Sequence, residues 1–213
     1  MDYSVEYRKS GMLLSVFQQN YQDIGTYLAY CKACPNYNTV WSCPPLPFDA
    51  AAYLEKFPWM YVVGAKINLS PETIKQADTA EKVKDMGWNI VVEVKLAMEE
   101  KMRKLEAKLP GSMALSSGGC NLCSVCSRGE GTPCRWPDKM RYSLDAFGFN
   151  LTAITREMLG IEIQWCQDRL PDYFTLVHGI ATTAEITEDM WAVMDMTFDE
   201  KREEGLDKST RNR

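Results

Sequence analysis

The sequence predicts a single α/β domain: a central mixed sheet, helices packed on it, and two cysteine-rich metal loops on one side. Three observations lead there. At 213 residues and 46% hydrophobic content the chain can bury a real core. Runs rich in Val, Ile and Tyr, which favour strands, alternate with stretches whose apolar residues recur every third or fourth position, the helical period. Seven of the eight cysteines fall in two compact runs set among Pro, Asn or Gly, the residues of loops.

A short strand around Val5 and Tyr7 opens the chain. Phe17, Tyr21, Ile24 and Leu28 repeat at i, i+4, i+7 and i+11, which predicts one amphipathic helix that delivers the chain to Cys31. Pro35, Asn36, Asn38, Pro44, Pro45 and Pro47 make the first cysteine run a loop, and a short helix near Ala50 to Lys56 follows. Trp59 to Leu69 is apolar enough to be a buried strand. A long helical stretch begins after Pro71-Glu72. Its clearest part carries Ile90, Val94, Ala97, Met98, Met102, Leu105 and Leu109, and Pro110-Gly111 ends it. Ser112 to Ser116 reads as a strand that empties into Ser117-Gly118-Gly119 and the second cysteine run, a common way to present a cofactor.

Beyond Cys134 helices are predicted from Tyr142 onward and around Thr152 to Met158. A hairpin should follow, with Ile161, Ile163 and Trp165 alternating in its first strand, Leu170-Pro171-Asp172 as its turn and Tyr173 to Ala181 as its second strand. Both halves thus run cysteine loop, helix, strand, a hint of pseudo-symmetry. Residues 1–198 form the metal-binding domain, and the charged residues 199–213 form a flexible tail.

A net charge of -5 and a pI near 5.1 argue against a nucleic-acid surface, which needs a basic stripe to displace counterions. No basic leader with an apolar stretch and no run of membrane-spanning length occurs, so a cytoplasmic protein without membrane contact is expected. In that compartment thiols stay reduced, and clustered cysteines are metal ligands before they are disulfides. The single histidine, His178, reads as a core imidazole, which leaves a histidine-based hydrolase little support. Neither a P-loop nor a dinucleotide fingerprint is present.

The second run, Cys120-x2-Cys123-x2-Cys126-x7-Cys134, carries the strongest signal. Cysteines at every third residue can wrap three corners of a 4Fe-4S cube, and Cys134 completes the set. Zinc pairs its ligands instead and is the alternative here, with one thiol left over. The first run offers only Cys31, Cys34 and Cys43. Cys166 could be the fourth ligand, although a free thiol is its more ordinary fate; otherwise an iron keeps an open position for water or a substrate oxygen. Tyr37, Trp41, Trp136 and Tyr142 are placed to shield such clusters. Arg128, Arg135, Lys139 and Arg141 face only Glu130, Asp138 and Asp145 nearby, an excess that could offset cluster charge or dock an acidic partner.

The strings Cys31-x2-Cys34-Pro35-x-Tyr37-x3-Trp41-Ser42-Cys43-Pro44-Pro45 and Gly118-Gly119-Cys120 through Cys134-Arg135-x-Pro137-x3-Arg141-Tyr142-Ser143-Leu144-x-Ala146-x-Gly148 resemble those of an uncharacterised family of metal-binding proteins, domain of unknown function 2284. The resemblance runs from about Tyr27 to about Ala181. It implies metal binding through these cysteines and occurrence largely in anaerobic microbes, and it brings no established reaction. Its pattern covers seven cysteines and omits Cys166. It includes Arg135, Arg141 and Tyr142, which implies a role for them beside the second site's cofactor.

Three functions follow. The first is a cytosolic protein with one or two 4Fe-4S clusters that transfers electrons at low potential to a redox partner protein. The second is a redox or lyase-type enzyme with an open iron at Cys31, Cys34 and Cys43. The third is a zinc-stabilised binding module. Whether the protein is an enzyme and how it oligomerises stay open in the sequence.

Overall fold

The computed structural model describes residues 1–199. It holds an α/β sandwich around a sheet of four strands in the order β1-β2-β4-β3: β1 (Tyr3–Leu13), β2 (Trp59–Leu69), β3 (Met113–Leu115) and β4 (Tyr173–Thr182). The sequence led to a mixed sheet; all three strand pairs are antiparallel. Periodicity identifies a strand, but its direction depends on how the connecting helices return the chain. The one parallel pairing among the described residues is the isolated bridge Ser116 to Ser143, and it lies beside the cysteine loops.

β2 reads as a continuous apolar run because both its faces are covered. Tyr61, Val63, Ala65 and Ile67 meet one cluster, while Met60 and Val62 meet the other. The first face is covered by α4 (Pro71–Gln76), α5 (Ala80–Lys108) and α7 (Glu188–Asp199). The second is covered by α1 (Leu14–Tyr21), α3 (Ala50–Leu54) and α6 (Leu151–Leu159). The stripe Ile90, Val94, Met98, Met102 and Leu105 of α5 is buried as its spacing requires.

Three further sequence expectations change. The helix expected from Phe17 to Leu28 is two helices, α1 and α2 (Ile24–Ala33). Asp23 caps α2 by accepting from the Thr26 amide at 3.0 Å, and Gln22 is drawn into a bridge with Phe149. The apolar period ran straight through that cap. No strand forms over Ile161, Ile163 and Trp165, and Trp165 is exposed. Ile161 plugs into the core, and side chains rather than a ladder hold the segment: Tyr173 donates to the Glu162 carbonyl, and Gln164 accepts from the Asp172 amide. The helix expected from Tyr142 shrinks to a 3-10 turn, Leu144–Phe147. Of the expected tail only Asp199, the end of α7, is among the described residues; 200–213 lie outside them.

The order cysteine loop, helix, strand is realised twice, ending in β2 and β4, which are adjacent at the sheet centre. Both cysteine loops therefore rise from one region. The first leaves the end of α2, and the second leaves β3.

Candidate metal centres

α5 builds the floor of the site. Between its apolar positions lie three charged residues, Lys95, Glu99 and Glu106, on the side toward β3 and the loop after it. Glu106 accepts from the Ala114 amide at 2.7 Å, Glu99 accepts from the Ser116 hydroxyl at 2.5 Å, and Lys95 donates to the Gly119 carbonyl and to Asn121 Oδ1. One helix thus sets four points along the segment that carries Cys120. Lys95 and Glu99 are themselves buried and lie 3.7 Å apart. Burial pulls the Lys95 pKa below the ordinary lysine value, against which Glu99, Cys120, Cys43 and Asp145 act in that order. A single buried cation therefore senses thiols of both cysteine runs.

The second run closes around one pocket. Cys120, Cys123, Cys126 and Cys134 all line it, with Trp41, Trp136 and Met140 as apolar walls. Amide hydrogens already reach two of the sulfurs: Leu122 toward Cys120, and Trp136 N toward Cys134 Sγ at 3.4 Å. Such N–H···S bonds are one of the levers that set a cluster's potential. Burial pushes the Cys120 thiol up to about 11, so metal binding there must displace a proton.

The first run gathers differently. Cys31 lies in the last turn of α2, Cys34 is its C-cap, and Cys43 comes from the loop beyond; all three line a separate first-run pocket of about 220 Å³, far roomier than the roughly 20 Å³ around the second run. Tyr27, Tyr30 and Tyr37 also line it. Burial raises both Cys31 and Cys43 to about 11, and the Asp145 carboxylate adds to both shifts.

Between the pockets stands a wall one residue thick. Trp41 lines the second-run pocket and Cys43 the first, while Ser42 between them is fully buried. Ser42 Oγ accepts from the Cys120 amide at 2.8 Å, and its carbonyl accepts from the Ser143 amide at 3.0 Å. On the other strand of the wall Gly119 faces one pocket and Cys120 the next. A Cβ on Gly119 would meet Asn36 Nδ2 at 2.5 Å, so a side chain there would have to push the Asn36 amide aside. Arg128 fastens the wall from outside, donating to the carbonyls of Val40, Cys43 and Pro45 while its guanidinium stacks on Trp41.

The remaining expected site residues separate. Arg135 lines the second-run pocket, donates to the Val125 carbonyl and pairs with Glu130 at 3.0 Å. Arg141 turns away from both pockets to a two-pronged pairing with Glu106 and the carbonyls of Asp138 and Met140. Tyr142 packs edge-on to Phe48, 4.9 Å between ring centres, and lines neither pocket. Of the expected shields, Tyr37, Trp41 and Trp136 line pockets and Tyr142 does not. Cys166 is exposed, donates toward the Arg169 carbonyl at 3.6 Å and lines neither pocket. His178 is fully buried in β4 with neither ring nitrogen paired.

Sequence reasoning missed Lys95, Glu99 and Ser42. Two charges at i and i+4 within a buried helical stripe were the available signal for the first pair.

Among the described residues, no three His, Cys, Asp or Glu side chains are arranged to hold one metal ion. The donors nevertheless suit a thiophilic metal group: four thiols line one pocket, three line the other with a carboxylate whose Oδ1 is buried without a partner. No helix among the described residues is long and apolar enough to cross a membrane. No curated protein and no solved structure matches the chain. A family model described as predicted metal-binding protein (DUF2284) matches residues 25–178, well over half the chain and all seven of these cysteines, and the chain belongs to that family.

Proposed function

We propose that this is a cytosolic iron-sulfur redox protein. Cys120, Cys123, Cys126 and Cys134 hold a 4Fe-4S cluster that relays single electrons, and Cys31, Cys34 and Cys43 hold a second cluster in the open pocket. The observation that carries the reading is the wall between them. Trp41 and Cys43 are two residues apart in the chain, which limits their Cα separation to about 7 Å. So thin a wall favours electron exchange between two centres over two independent structural ions. Thiols that line one pocket without converging on a point suit a cluster, in which each binds its own iron, better than zinc, whose four donors lie about 2.3 Å from one centre.

The two centres have different tasks in this account. Apolar side chains wall the second run, as a relay requires, and the exposed Trp136 and Lys139 at its rim offer a redox partner protein a docking point. The open first pocket favours a further reading, an enzyme in which a small molecule meets an exchangeable iron at Cys31, Cys34 and Cys43 and takes electrons from the neighbouring cluster. Anaerobic reductive titration followed by electron paramagnetic resonance tests the pair. Two clusters this close should give signals that broaden through mutual coupling once both are reduced. Signals that simply add, or none at all, would contradict the reading.

A further inference from the structure

We infer that Asp145 is the fourth ligand of the first centre, its carboxylate closing the set begun by Cys31, Cys34 and Cys43. This rests on the cluster assignment proposed above. The fold brings Asp145 there by two independent routes. On one side the Ser116 to Ser143 bridge, with Ser116 N donating to the Tyr142 carbonyl and Leu144 N to the Ser116 carbonyl, sets the 3-10 turn Leu144–Phe147 beside the glycine turn. On the other, α2 is seated against the end of that turn. Gly148 has a φ of +79°, and a Cβ on it would stand 2.6 Å from the Ile24 Cα; the Asp23 amide also donates to the Gly148 carbonyl at 2.8 Å. The contact at the start of α2 holds Cys31, two turns later, over the pocket that Asp145 lines.

The carboxylate itself is unfinished. Asp145 Oδ1 is buried and accepts no hydrogen bond, and Lys95, the nearby cation, spends its donors on Gly119 and Asn121. Leaving a buried acceptor unpaired is destabilising, the more so when it is charged, and a bound iron would remove that cost. The other candidate, Cys166, lies outside this pocket. A carboxylate is a harder donor than a thiolate and holds a cluster iron less firmly, so the fourth corner is the one that exchanges. That corner faces the open pocket lined by Tyr27, Tyr30 and Tyr37, where a small oxygen-bearing molecule could replace the carboxylate.

The test compares the wild type with Asp145→Cys and Asp145→Ala after anaerobic purification. Ferricyanide is the oxidant: one equivalent takes one electron as one ferrous ion leaves, turning a four-iron cluster into a three-iron one. The wild type should release about one iron per chain and develop the three-iron resonance signal. Asp145→Cys should keep its full iron under the same treatment, and Asp145→Ala should be isolated with about one iron fewer per chain, a loss of ferrous ion that needs no oxidant, and develop the three-iron signal with ferricyanide without releasing further iron. Equal iron release from wild type and Asp145→Cys, or an unchanged cluster in Asp145→Ala, would overturn the assignment while leaving two clusters in place. A wild type with no cluster at the first run would overturn the proposed function, and this ligand with it.

Discussion

The two cysteine sets differ in how their thiols are gathered. The second takes all four from one loop of fifteen residues, Cys120 to Cys134, and closes them behind Trp41, Trp136 and Met140. The first draws Cys31 and Cys34 from a helix end and Cys43 from a loop, in an open pocket that Asp145, more than a hundred residues away in sequence, also lines. A local set depends on loop spacing alone. A dispersed one exists only when α2, the 3-10 turn Leu144–Phe147 and the wall residue Ser42 are all docked. In this account the closed centre keeps an electron and the open centre delivers it.

The largest effect should come from cutting into the closed set. Cys123→Ser should remove about half the iron, because it takes one corner of one of two clusters, whereas Cys166→Ser should leave metal content unchanged. Equal losses in the two variants, measured as iron per chain, would break the comparison at its root.

Lys95 joins the two sets and should come next. Lys95→Met leaves Glu99 buried without its partner, a change that costs about 3–5 kcal/mol. It also removes a cation that senses Cys120 and Cys43, so the reduction potentials of both clusters should fall. The double variant Lys95→Met/Glu99→Leu separates the effects, since removing both charges should restore much of the stability, read by denaturant titration, and leave the potentials low. Potentials that recover with stability would make Lys95 structural only.

His178 gives a smaller effect at a defined pH. Burial first, and then the charge of Lys95, lowers its pKa from 6.5 to about 3. Above pH 6.5 the ring is neutral in both folded and unfolded chains. As the pH falls below 6.5 only the unfolded chain takes the proton, so stability is lost progressively down to about pH 3, by roughly 1.4 kcal/mol per pH unit. His178→Leu should flatten this acid limb in equilibrium unfolding experiments. An unchanged limb would assign the acid sensitivity to other groups.

Arg135 and Arg141 should show the smallest effects and differ from each other. Arg135→Gln removes charge from the lining of the closed set and should lower its potential slightly, since Glu130 already offsets that charge. Arg141→Gln should leave the potential alone and instead lower stability through Glu106. Equal shifts of potential would return Arg141 to the site.

These contrasts also mark what the sequence could disclose. β2 was legible from Trp59 to Leu69 because a strand buried on both faces is apolar along most of its length, and the gathering of four cysteines from Cys120 to Cys134 on one pocket was legible because they share one loop. Ile161, Ile163 and Trp165 alternate like a strand, but the segment is held by Tyr173 and Gln164 instead of a ladder, and alternation cannot reveal that. Asp145 carried no signal of its own. Its nearness to Cys31 follows from one parallel bridge and one glycine contact, features that only the folded chain possesses.

The most direct test of the central claim is the content of iron, zinc and acid-labile sulfide per chain, read with the visible spectrum, on protein purified without oxygen. Two four-iron clusters predict about eight iron and eight sulfide with a brown absorption band. Zinc without sulfide would contradict the account.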